Sequence, residues 1–149
     1  MPKKTPAPSP KVTKAGHARQ SEIPSTLQRS DTKAQDTFAK AHDAAAESYG
    51  DEQRANRVAW GAVKHTHEKV GDHWAPKEGG RKGPSDPQSE GGADTDRRSS
   101  GGVDEGATKA HLLDLAREAD VKGRSSMTKA ELVEALRKAN DRATARARP

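Results

Sequence analysis

Six histidines and scattered carboxylates are the side chains of this sequence that could hold a metal ion or move a proton, and there is no cysteine. Disulfides and thiolate metal sites are therefore excluded. His65 and His67 lie two apart on one predicted helix, so they point roughly 200° from each other and cannot chelate a single ion. His67-Glu68 does not open a zinc-protease motif, because the next histidine is His73 and the motif needs one four residues on. His73 and Asp72 near the helix end read as ordinary solvated residues. Asp43, Glu47, Asp51 and Glu52 surround a turn at Gly50 and read as a solvated helix end. Gly79-Gly80-Arg81-Lys82-Gly83 lacks the Gly-Lys-Ser/Thr of a phosphate loop. No serine sits in the strand–turn–helix context of a nucleophile. No catalytic residue, metal ligand or cofactor is assigned, and a binding protein is expected rather than an enzyme.

The remaining candidates are cations. The net charge is +5, and its placement matters more than its sum. Residues 1–20 carry five Lys/Arg and no acid, and residues 107–149 carry ten bases and six acids. Residues 21–78 have eight bases and ten acids, and residues 79–106 have four and six. A basic excess at both ends suits an anionic partner, nucleic acid or a membrane surface; simple solubility is the bland reading.

The elements that must position these groups are small. Hydrophobic residues make up 30% of the chain and charged residues 33%, with four aromatics, Phe38, Tyr49, Trp60 and Trp74. Such a chain cannot offset the ordering entropy of its whole length, so order is expected in islands. Residues 1–21 read as a disordered basic arm. Residues 79–106 read as a flexible Gly-rich linker spanning about 30 Å, and residues 141–149 as a frayed basic tail. In the first island, residues 22–78, Ser30 or Asp31 can cap a helix with Ala34, Phe38, Ala41, Ala45 and Tyr49 on one face. Gly50 stops it, and Asp51 caps a second helix with Ala55, Val58, Ala59, Ala62 and Val63 inward and Trp60 on the flank. That helix is expected to run to Gly71, with Trp74 and Pro76 on an extended tail folding back onto an antiparallel pair.

In the second island, residues 107–140, Thr108 caps a helix bearing Leu112, Leu115, Ala116 and Ala119, stopped at Val121 and Gly123. After the loop Arg124-Ser125-Ser126-Met127, Thr128 and Glu131 form a capping box for a helix bearing Leu132, Val133 and Leu136. The expected fold is all-α: two small helical-hairpin modules joined by a disordered linker. No stretch approaches the ~20 apolar residues of a membrane span, and nothing resembles a signal peptide, so a cytoplasmic protein is expected.

The first island resembles the ChaB family, small bacterial proteins described as cation-transport regulators. The resemblance rests on Ile23-Pro24, Ala34-Gln35, Phe38, Ala41, Ala45, Tyr49, Ala55, Val58-Ala59-Trp60, Ala62-Val63-Lys64-His65, Lys69 and Trp74. Gly61 and His67 depart from the family pattern. What it implies is a link to a cation antiporter, with no site attached; if the chain acts by protein contact, an exposed apolar patch at Trp60 or Trp74 is the expected docking surface. The second island resembles the N-terminal helical domain of the Rho termination factor, and more loosely the SAP motif, through Leu112, Leu115-Ala116, Ala119, Val121, Gly123-Arg124-Ser125, Met127-Thr128-Lys129, Glu131-Leu132 and Leu136. In such folds the loop and the second helix's start face nucleic acid. Lys122, Arg124, Lys129 and Lys138 would supply charge, and Ser125 and Ser126 would donate to phosphate oxygens. Without an aromatic there, base stacking is unavailable and sequence specificity should be low. The leading expectation is a nucleic-acid-binding module fused to a ChaB-like scaffold. The alternatives are regulation of a cation antiporter and a basic membrane-surface protein. No small-molecule substrate is expected.

Overall fold

The computed structural model describes residues 10–147. Helix α1 (Ser25–Gln28) follows Pro24 and leads into α2 (Thr32–Tyr49). Of the two possible caps it is Asp31 that acts, accepting from the Ala34 amide at 2.7 Å. Gly50 closes α2 in the left-handed conformation, at φ +73°, which suits a residue without Cβ. Asp51 then accepts from the Arg54 amide at 2.8 Å and starts α3 (Glu52–Thr66). The two helices pack along each other as an antiparallel pair. Ala34, Phe38, Ala45, Ala55, Ala59 and Val63 are buried as their spacing required, whereas Tyr49, beside the Gly50 turn, is 47% exposed.

The all-α expectation is overturned by a two-stranded antiparallel sheet. Strand β1 (His67–Val70) pairs with β2 (His73–Pro76), with Lys69 opposite Trp74. The physical reason lies in where the apolar stripe ends. No large apolar residue follows Val63 at helical spacing until Val70, so a longer helix would bury nothing. Reversal at Gly71, φ +65°, instead brings Trp74 back onto the core. Its ring lies 5.2 Å from that of Trp60, which lies 4.8 Å from that of Phe38. The Trp74 indole N–H donates to Thr26 Oγ1 at 3.3 Å, as a buried indole requires. Helix α3 therefore stops at Thr66, not Gly71, and the fold-back is a hairpin rather than a tail.

The disordered linker is also corrected. Residues 79–106 are packed, including a short helix α4 (Pro87–Glu90) capped by Asp86, and Ser85, Asp86, Ser100, Val103 and Asp104 are buried. Polar burial does what apolar burial could not. Asp86 accepts from the Ser100 amide at 2.8 Å and from Lys64 Nζ at 3.2 Å, and Lys64 also donates to Gln88 Oε1 at 2.7 Å. The described part of the arm is likewise tied down. The Asp43 carboxylate accepts from the amides of Lys11 at 2.9 Å and Val12 at 3.0 Å, and Asp36 accepts from that of Ala18 at 2.9 Å. The rest of the arm, residues 1–9, lies outside the described residues.

Helix α5 (Lys109–Glu118) is capped by Thr108, which accepts from the His111 amide at 3.1 Å. Helix α6 (Lys129–Ala147) begins at the expected capping box. Thr128 Oγ1 accepts from the Glu131 amide at 3.2 Å, and Glu131 accepts from the Thr128 amide at 3.0 Å. Leu112, Ala116, Val121, Leu132, Val133 and Leu136 form its core, joined by Val103 from the supposed linker. Helix α6 runs on through the stretch expected to fray.

Candidate functional site

The helix–loop–helix of α5 and α6 does not gather the six residues proposed for phosphate. Lys122 is exposed and paired to Asp120 at 2.9 Å. Arg124 donates to the Val121 carbonyl at 3.2 Å, and Ser126 Oγ donates to that of Gly123 at 3.0 Å. These side chains brace the loop. Ser125 and Lys129 are exposed beside it, as is Lys138 on α6. Nine residues separate Lys138 from Lys129, which is two and a half turns, so the two point to opposite sides of α6.

Lys138 has other company. Lys138, Arg142 and Arg146 recur every four residues along α6 and are all exposed. That spacing places them on one face, about 6 Å apart along the axis. None of the three makes an ion pair among the described residues, in contrast to Arg137, which is tied to Glu134 and Asp141. Arg142 and Arg146 also line a groove of about 660 Å³, together with Val70, Val103, Leu136, Glu118 and Asp120. The i, i+4, i+8 spacing was visible in the sequence; what hid it was the reading of residues 141–149 as frayed.

The α5 terminus has an unusual residue. Asp120 adopts φ +56°, and the Val121 amide bonds the Ala116 carbonyl at 2.9 Å, a Schellman-type stop with a side-chain-bearing residue where glycine is favoured. Asp120→Gly should relieve that conformation and raise Tm by a few degrees in thermal denaturation; an unchanged or lower Tm would show the conformation to be unstrained.

The two indoles divide. Trp74 is 4% exposed and belongs mainly to the core, although it is among the residues lining the groove beside Trp60. Trp60 is half-buried and opens onto a groove of about 470 Å³ lined also by Thr26, Gln53, Asn56, Arg57 and Gln88. Of the expected docking pair, Trp60 is the more exposed, and both indoles line this groove.

Five of the six histidines, all but His65, lie against carboxylates. His42 is fully buried, with Nδ1 2.9 Å from Asp43 and Nε2 2.9 Å from Glu52. His67 lies 3.2 Å from the α2 cap Asp31, and His111 bridges Glu68 and Glu78. The acidic patch at Gly50 is explained by this. Asp43 and Glu52 hold His42, and Asp51 caps α3. Among the described residues, no group of three or more His, Asp or Glu is placed to hold a metal ion, and no helix is long and apolar enough to cross a membrane.

The ChaB family model matches residues 23–77. A ChaB-like domain is thereby detected at those residues. The match covers a little over a third of the chain and ends before α4. No curated protein and no solved structure matches the chain. The ChaB domain accounts for α1 to β2 and for Trp60; the α6 cations and His111 lie beyond it. Its Lys64, which burial holds below the ordinary lysine value while Asp86 opposes that shift, is the anchor for the segment C-terminal to the domain.

Proposed function

We propose that this chain is a non-enzymatic binding protein in which α6 grips the phosphate backbone of nucleic acid while the ChaB domain serves as scaffold. The observation that carries this reading is the row of Lys138, Arg142 and Arg146, exposed, on one helix face and making no salt bridge among the described residues, with Glu134 a longer-range neighbour of Lys138. Cations held at a fixed repeat neutralise phosphates and release counterions, and they carry no sequence information. Lys129 is a secondary contact. Lys122, Arg124 and Ser126 serve the loop instead of the ligand.

The test is fluorescence anisotropy of the full chain against labelled single- and double-stranded oligonucleotides across a salt series. Replacing Lys138, Arg142 and Arg146 together by alanine should lower affinity at least tenfold and flatten the log–log salt dependence on duplex by about 2 to 3. Arg124→Ala with Lys129→Ala should change it far less. Affinity insensitive to salt, or to the triple replacement, refutes the reading.

A second reading, regulation of a cation transporter through protein contact, is favoured by the half-exposed Trp60 at its groove. On that reading Trp60→Ala abolishes a transport phenotype that the α6 replacements leave intact.

A further inference from the structure

Helix α5 meets the ChaB domain through one imidazole. His111 Nε2 lies 2.9 Å from Glu68 Oε2 on β1, and Nδ1 lies 2.8 Å from Glu78 Oε2 in the turn after β2. A neutral imidazole has one N–H and one lone pair, so it can donate to only one of these carboxylates. Only the imidazolium donates to both. The surrounding charge points the same way. Facing His111 are Glu68 and Glu78, and behind them Asp104, from the segment before α5. Asp104 is paired to Lys77 at 3.7 Å and to Arg81 at 3.0 Å. Three carboxylates thus meet two cations, and the imidazolium makes the cluster neutral. When the proton leaves, the Nε2–H tautomer keeps its bond to Glu68, which is 3% exposed, and the 67% exposed Glu78 is released to water, so the tie to the turn after β2 is the one that is lost. His42 shows the same two-carboxylate geometry, but it joins α2 to α3 within one hairpin; His111 joins two units.

We propose that His111 is a proton-operated latch between the ChaB domain and the α5–α6 pair, closed as the imidazolium and loosened when the ring is neutral. The rest of the junction supplies reporters. The Lys69 amide donates to the Gly102 carbonyl at 2.9 Å, and the Gly71 amide donates to Asn140 Oδ1 at 2.8 Å. Both bonds cross from the ChaB domain to the C-terminal part of the chain. Opening of the junction exposes these two amides, while amides inside α2 remain protected.

The proposal is independent of whether α6 binds nucleic acid. It is tested by hydrogen exchange followed by NMR on the full chain, at about one unit below and two units above the ordinary histidine value of about 6.5. Protection factors, corrected for the intrinsic pH dependence of exchange, should be about tenfold higher for Lys69 and Gly71 on the acidic side. His111→Gln should remove that difference. Glu78→Gln should reduce it without disturbing the buried Glu68, because Glu78 is 67% exposed. This second variant covers the case in which His111→Gln fails to fold. Protection at Lys69 and Gly71 that does not change with pH in the wild-type chain overturns the proposal, as does an equal pH response in Glu78→Gln.

Discussion

Asp86→Asn should lower the unfolding free energy by about 3–5 kcal/mol, the cost of leaving a buried charge without its partner. Lys64 and Asp86 have side chains 6% and 0% exposed, at 3.2 Å. Burial by itself would raise the Asp86 carboxyl, but the amides of Ser100 and Ser89 and the Lys64 ammonium outweigh it and hold the group below the ordinary 3.8. The sign of the pH dependence comes from that direction. A carboxyl depressed in the folded state contributes stability that is present above 3.8 and lost as the pH falls through the lower folded value. The gap between wild type and Asp86→Asn, measured by urea denaturation, should therefore be full at neutral pH and shrink on acidification. Adding Lys64→Met should recover most of the loss, since removing both charges leaves neither stranded. A neutral-pH difference under about 1 kcal/mol would mean that this pair does not hold residues 85–100 to α3.

That pair also marks the limit of what the sequence disclosed. The helices of the first island were legible because Ala34, Phe38, Ala45, Ala55, Ala59 and Val63 repeat at helical spacing and Asp31, Gly50 and Asp51 punctuate them. The second island was legible for the same reason, down to the Thr128–Glu131 capping box. The segment 79–106 was not, because its order comes from Ser85, Asp86, Ser100 and Asp104 burying against charged partners. Composition reads such residues as linker, and only the partners far along the chain, Lys64 and Lys77, make them interior. Asp86-Pro87-Gln88-Ser89 did carry a local helix-start signal. The β-hairpin was half legible: the return of Trp74 was expected, the strand pairing was not. Of the binding residues, Trp60 is the more exposed and Trp74 belongs mainly to the core, which no periodicity could separate. The phosphate residues rested on resemblance to a loop. The structure spends that loop's Lys122, Arg124 and Ser126 on its own bracing and leaves Lys138, Arg142 and Arg146 unpaired among the described residues.

Gly102→Ala should be as damaging as the loss of Asp86, for a steric reason. Gly102 is buried at φ +97°, a conformation costing a residue with Cβ about 1–2 kcal/mol. A Cβ there would lie 2.5 Å from the Trp74 ring and 2.7 Å from Lys69 Cβ. Trp74 is wedged against Trp60 and cannot retreat, and Lys69 Cβ is fixed by its strand. Overpacking of this kind adds about 1–3 kcal/mol, for a total of about 2–5 kcal/mol in chemical denaturation. Gly50→Ala is the control. It has a similar positive φ, +73°, but nothing within 4 Å of the added methyl, so it should cost only the conformational part. The excess of the first over the second measures how closely the segment before α5 presses on the ChaB domain. It should appear also as faster exchange of the Lys69 amide, whose acceptor is the Gly102 carbonyl. Equal costs for the two replacements would mean that the ChaB domain and the α5–α6 pair do not share this close contact, and that the domain's second tryptophan is covered by its own hairpin alone.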